Sequence, residues 1–445
     1  MRIMHYFRYV DGHLHCEGLR VERLAREYGT PLYVYSQKTL EDHYGRLDAV
    51  LAPLDNLICY AVKANSNLAV LRTFADLGSG FDIVSAGELE RVIAAGGNPA
   101  RCVFAGVGKT EAEIALALRR GIYAFNVESE AELARIDRVA ARLRKRAPVA
   151  VRVNPNVDAQ THAKITTGTY ENKFGIAFES VLPLYQRAAR LKHLRLRGIQ
   201  MHIGSQLTEV KPFESAVRRV APLAATLAKK YGIEFFSIGG GIGIVYESAL
   251  ASGQPDWWVT PAAKGLLTPV TYASKLVPLL RPLGLKILVE PGRFLVGNAG
   301  ILVTRIEYVK KTGEKRFLIV DAAMNDLVRP AFYDAYHEIL PLRCRCGAQA
   351  LFDVVGPICE SGDFFCRDRL LPAVDEGEYL ALFSAGAYGA VMGSNYNSRP
   401  FPPEILVSER RADCVRRRQP LERIWEGERA ASWQARPASS RRRPR

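Results

Sequence analysis

The chain has 445 residues, 48% of them hydrophobic and 24% charged, with a formal net charge of +15. That composition gives room for two or three globular domains and excludes a disordered or collagen-like chain. No run of 18 apolar residues occurs, which excludes a conventional transmembrane helix, and the opening residues lack the apolar stretch of a secretion signal, so a cytoplasmic location is expected.

The first predicted element is a hairpin in "HYFRYVDGHLHCEGL", turned at Asp11-Gly12. Eight apolar, β-branched runs follow, at 56–62, 80–84, 101–105, 122–127, 148–153, 197–202, 234–238 and 286–290. Segments with a 3.6-residue apolar period separate most of them, "SAGELERVIAAGG" and "KTEAEIALALRRG" among the clearest. Ser85 before Glu88, and Ser129 before Glu132, fit capping boxes, and Gly78, Gly96 and Gly121 fit helix C-termini. Eight strand–helix alternations predict a (β/α)8 barrel of the TIM type. An open doubly wound sheet would carry its glycine-rich turn after the first strand, whereas "SIGGGIG" follows the seventh.

Beyond residue 290 the pattern becomes strand-like, with Gly and Asp turns, through "GILVTRIEYVKKTGEKRFLIVDAAM" to "PPEILV". The expected organisation is N-terminal strands (1–30) joining a C-terminal β-domain (291–428), a barrel between them (31–290), and a basic disordered tail (429–445). From Ser408 to the end there are 12 Arg against 5 acidic residues, so nearly half of the net charge lies there. An Arg/Ser/Pro tail without apolar period reads as a solvated extension, and nucleic acid is not expected as a partner. The spacing of Cys344, Cys346, Cys359 and Cys366 matches no common zinc pattern, so no metal is expected.

Barrels of this type place their chemistry at the C-terminal ends of the strands. Lys63 ends the first run, Ser85 the second, Asn154 the fifth and His202 the sixth. Gly239-Gly240-Gly241 ends the seventh, and Glu290 the eighth, with Arg293 in the same "EPGR" motif. Taken singly, Lys63 is a solvated strand end and His202 a packed core histidine. Taken together they have a chemical logic. A lysine can condense with an aldehyde, a glycine loop can offer N–H groups to a phosphate, and a carboxylate can hold a pyridine nitrogen protonated. That set points to pyridoxal 5′-phosphate.

The motifs "YAVKAN", "GFDIVSAGEL", "MHIGSQ", "EPGR", "GPICESGD" and "AGAYG", with "RVNPNVDAQTHAKITTGTYENKFGI", resemble the meso-diaminopimelate decarboxylases over about residues 8–428. That family belongs to the fold-type III pyridoxal phosphate enzymes, with ornithine and arginine decarboxylases and alanine racemase. The resemblance implies that Lys63 carries the cofactor and that His202 stacks on its ring. It implies phosphate binding by Gly239, Gly240 and Gly241 with Ser205, and a Glu290 contact to the ring nitrogen within the motif Glu290-Pro291-Gly292-Arg293. Arg293, Arg329 and Tyr333 would hold the distal carboxylate of the substrate, Glu360 its distal amino group, and Tyr388 both cofactor phosphate and substrate. Cys359 would be the proton donor, reaching the site from the second subunit of a homodimer. The implied reaction is decarboxylation of meso-2,6-diaminopimelate to L-lysine and CO₂, the last step of lysine biosynthesis. A sister decarboxylase of another diamino acid or a carboxylated polyamine is the alternative. Arg293 with Arg329 favours the former, because ornithine has no distal carboxylate for a guanidinium fork. The sequence departs from the family pattern at "HAKITTG", where "HPYISTG" is expected and Lys164 adds a charge, and at 246–265, which reads as a longer insertion than usual.

Overall fold

The computed structural model describes residues 4–157, 173–345 and 347–434. The segment around Lys164, Cys346 and the last part of the basic tail therefore lie outside the described residues.

Eight parallel strands close into a barrel: Asn56–Ala61, Gly80–Ile83, Cys102–Phe104, Ala124–Val127, Ala147–Asn154, Leu194–Met201, Phe235–Ser237 and Lys286–Val289. The fourth strand pairs with the fifth and the eighth with the first, which leaves no open edge. Helices follow the strands because their starts are capped. Ser85 and Ser129 accept the N–H groups of Glu88 and Glu132 at 3.2 and 3.1 Å. The expected capping boxes are not reciprocal at these two sites. The glutamates reach one residue further back, to the N–H groups of Val84 and Glu128. Thr110 with Glu113 forms a complete box.

Side chains alternate between the two faces of a strand, and this sorts the barrel interior into layers. Leu57, Cys59, Val103, Ala124, Ala150, Phe235 and Leu288 form a dry lower layer. Gly198 is part of it by necessity, since a Cβ there would meet the Phe235 ring at 2.6 Å. Two residues further along the same strands come Asn126, Arg152, Gln200, Ser237 and Glu290, all buried. Asp82 joins them from the second strand. The chemistry rests on this polar layer.

A second sheet runs in the order Phe364–Pro372, Gln349–Val355, Lys315–Val320, Gly300–Thr312, Leu32–Ser36, Glu404–Ser408, Arg411–Arg416. Leu32–Ser36 thus pairs into this sheet, antiparallel to Gly300–Thr312 and parallel to Glu404–Ser408. The N-terminal hairpin, Phe7–Val10 with His13–Cys16, turns at Asp11 and Gly12, both with positive φ, as a two-residue turn requires. Phe7, Leu14 and Cys16 share a core with Val34, Ile301, Val303 and Ile405, so the segment completes the β-domain. Among the described residues no helix is long and apolar enough to cross a membrane.

Candidate active site

A cavity of about 390 Å³ opens above the polar layer, between the barrel and the second domain. Lys63 lies on its wall, in the 3₁₀ turn Val62–Ala64 that directly follows the first barrel strand. Two contacts fasten this turn to the β-domain: Tyr388 N–H donates to the Ala64 carbonyl at 2.8 Å, and Asn65 Nδ2 donates to the Gly386 carbonyl at 3.1 Å. Tyr388 has φ of 56°, a conformation costly for a residue with a Cβ and held here by those contacts. Its ring also lines the cavity.

Lys63 Nζ donates to Asp82 Oδ2 at 2.6 Å. Burial works against the ammonium, but Asp82, Tyr388 and Glu290 outweigh it and raise the lysine above its usual range. Glu290 follows the eighth strand and accepts from Ser237 Oγ at 2.7 Å, Gln200 Nε2 at 2.9 Å and Asn126 Nδ2 at 3.3 Å. Burial and the nearby Asp82 push Glu290 up to about 7. His202 accepts the Gly240 N–H through Nδ1 at 3.3 Å, which places its proton on Nε2. Burial, Arg152 and Lys63 keep it neutral, far below the usual histidine range.

The glycine loop lies against the strand ends. A Cβ on Gly240 would sit 2.2 Å from the Glu290 carbonyl oxygen, so only glycine permits this approach. Gly241 lines the cavity, whereas Gly239 and Gly240 lie behind it. In the same way Gly292 and Arg293 line it and Pro291 does not.

One wall of the cavity is cationic. Arg293, at the start of a short helix, donates to Ser205 Oγ at 3.0 Å and to Tyr246 Oη at 2.5 Å. Arg329, at the start of the helix Arg329–Tyr333, stands beside the same tyrosine and bonds His337 at 2.9 Å. Both arginines are buried, and among the described residues neither has a carboxylate partner. Tyr333 lines this end.

Two residues are expected to enter from the second subunit. Cys359 and Glu360 are exposed on the 356–363 loop and do not line the cavity of their own chain. Asp363 braces that loop, accepting from Ile358 N at 2.7 Å and Met324 N at 2.7 Å. Glu360 accepts from the Tyr396 hydroxyl at 2.5 Å.

Sequence reasoning missed Asp82, Arg152, Gln200 and Tyr246, which all line the cavity. The first three carried a readable signal, as polar residues inside strand runs. Tyr246 fell in the stretch read as an insertion.

The residues present fit pyridoxal phosphate. They supply an amine, a carboxylate placed for a ring nitrogen and a loop of glycines. Asp82 Oδ1 and Gln200 Oε1, on residues that line the cavity, are buried acceptors with no donor among the described residues. A ligand carrying N–H or O–H groups would relieve that cost.

Known proteins agree with the geometry. The pyridoxal-binding domain of the pyridoxal-dependent decarboxylases matches residues 37–297. A diaminopimelate decarboxylase of Vibrio cholerae is 49% identical over 425 residues, covering 95% of this chain and 98% of its own. The crystal structure of diaminopimelate decarboxylase from Helicobacter pylori complexed with L-lysine superposes with a TM-score of 0.84 at 39% identity, covering 91% of this chain and 98% of that one. The M. jannaschii enzyme in co-complex with L-lysine gives 0.88 at 34% identity, covering 97% and 99%.

Proposed function

The chain belongs to the diaminopimelate decarboxylases, and from that premise we propose how its residues divide the reaction that turns meso-2,6-diaminopimelate into L-lysine and CO₂. The arginine pair at the end of a lysine-bearing cavity is the observation that carries this reading. A substrate with two amino-acid ends needs one carboxylate gripped while the other leaves, and two buried guanidiniums with no carboxylate partner among the described residues suit that grip.

Lys63 would hold the cofactor through its amine, with Asp82 beside it to take or return a proton. When bound, pyridoxal phosphate accepts the electron pair left behind by departing CO₂. Glu290 would hold a proton at the ring nitrogen, with Ser237, Gln200 and Asn126 fixing its carboxylate. The neutral His202 would stack on the ring. Gly241 with Ser205 and Tyr388 would take the phosphate, with Gly239 and Gly240 shaping the loop behind them. Arg293, Arg329 and Tyr333 would hold the distal carboxylate.

The two exposed residues complete the site in a homodimer. Cys359 would return a proton to the carbon that lost CO₂, and Glu360 would bind the distal ammonium, both entering from the partner subunit. Their exposure on a braced loop supports this. Mixing Lys63→Ala chains with Cys359→Ala chains tests it. Each mixed dimer rebuilds one native site, so equal mixing should recover about a quarter of wild-type activity. No recovery after demonstrated subunit exchange would mean that Cys359 does not reach the site from the partner subunit. Among the described residues the cysteines are unbonded, which supports a reducing, cytoplasmic setting.

The substrate assignment is tested by CO₂ release from meso-diaminopimelate, ornithine and arginine in parallel. Release from meso-diaminopimelate should dominate. Equal release from ornithine would overturn the role given to the arginines.

A further inference from the structure

The residue that links the two arginines has no role in the scheme above. Tyr246 follows the glycine loop, and its hydroxyl accepts from Arg293 Nη1 at 2.5 Å. Its ring centre lies 4.9 Å from the Arg329 guanidinium carbon and 5.9 Å from that of Arg293. His337, fully buried, meets the same ring edge-on at 5.3 Å.

The hydrogen-bond directions can be assigned. His337 Nδ1 lies 2.7 Å from the Phe383 carbonyl oxygen, which can only accept. Its proton is therefore on Nδ1, and Nε2 offers a lone pair to Arg329 Nη1 at 2.9 Å. Burial and the neighbouring Arg329 push His337 down to about 3, consistent with this neutral form. The histidine thus aims Arg329 without adding charge.

A phenol oxygen accepts and also has one proton to give. Tyr246 accepts from Arg293, and among the described residues no acceptor is found for its own proton. Arg293 Nε is likewise buried without a partner. The end of the cavity therefore holds spare donors on Tyr246 and Arg293, with the Arg329 guanidinium beside them. A carboxylate, with two oxygens and about four lone-pair positions, is the complement of that arrangement.

We propose that Tyr246 is a third donor for the distal carboxylate, acting with Arg293 and Arg329, and that His337 is the residue that positions Arg329 for this contact. The triad makes recognition of that carboxylate depend on a hydroxyl as well as on charge. The inference rests on the reading of the cavity as a diaminopimelate site.

L-lysine keeps the distal carboxylate after the reaction, whereas cadaverine carries the same two amines and no carboxylate. Binding of each is followed by the absorbance change of the cofactor-loaded protein, with CO₂ release from meso-diaminopimelate measured alongside. Tyr246→Phe keeps the ring and removes only the hydroxyl. It should weaken L-lysine by about 10- to 100-fold, the usual effect of losing a hydrogen bond to a charged group, and leave cadaverine unchanged. His337→Leu should also lose selectivity for L-lysine over cadaverine, while His337→Gln, which can still accept from Arg329, should retain most of it. The histidine pair keeps the test open should Tyr246→Phe not load cofactor. A wild-type L-lysine/cadaverine ratio in Tyr246→Phe, or in His337→Leu, overturns the proposal. A wild-type protein that neither binds L-lysine nor releases CO₂ would instead overturn the reading beneath it.

Discussion

Replacing Glu290 by Gln separates what the fold tolerates from what the reaction needs. In the cofactor-free protein this carboxylate is buried and pushed from 4.5 up to about 7. The folded state therefore binds a proton that the unfolded chain has released between those values. Stability is fully present below about 4.5, falls as pH rises, and levels off above about 7. A shift of this size corresponds to about 3 kcal/mol at 1.36 kcal/mol per pH unit. Gln resembles the protonated acid and does not titrate. Cofactor-free Glu290→Gln should match wild type near pH 4.5 and then melt progressively higher than wild type up to pH 7. Paired thermal melts across pH 4.5–8 measure the difference, in which groups that do not interact with Glu290 cancel. With cofactor bound the sign reverses, because the ring nitrogen loses its charged partner. Turnover should fall on the order of 10²- to 10⁴-fold, as for other broken buried charge pairs. Parallel melting curves in the cofactor-free proteins would refute the assigned burial cost, and unchanged turnover would refute the contact to the ring nitrogen.

Lys63→Ala should abolish the visible absorbance of lysine-bound cofactor, and an unaltered spectrum would remove Lys63 from its role. Cys359→Ala should keep that spectrum and lower kcat by about 10²- to 10⁴-fold, the usual contribution of a positioned acid, as read by CO₂ release. Away from the site, the buried Lys109 Nζ bonds the buried Glu132 at 2.7 Å and two backbone carbonyls, of Gly106 and Asn126. Lys109→Met leaves Glu132 buried without its cation and should destabilise by about 3–5 kcal/mol, seen as a lowered Tm.

Much of the barrel was legible because its strands are short apolar runs bounded by capped helices. The expected run at 80–84 ends one residue beyond Gly80–Ile83, and the run at 286–290 one beyond Lys286–Val289. Residues at strand ends, such as Lys63 and Glu290, could be found by asking what terminates each run. The polar layer one step deeper was harder. Gln200 sits two residues before His202 and so shares its face, a relation visible only once the strand's inward side is known. Tyr246 and His337 could not be placed by any local period. They lie in irregular segments, and only the packing of the β-domain on the barrel mouth brings them to the arginines. Leu32–Ser36 shows the same limit. It reads as the start of the barrel region, yet its partners are the strands Gly300–Thr312 and Glu404–Ser408, far away in sequence.

The most direct test of the whole account is a product assay on the purified, cofactor-loaded protein. Incubation with meso-2,6-diaminopimelate should yield L-lysine and CO₂ in equal amounts, and Lys63→Ala should yield neither. Consumption without L-lysine, or L-lysine formed equally by Lys63→Ala, would contradict it.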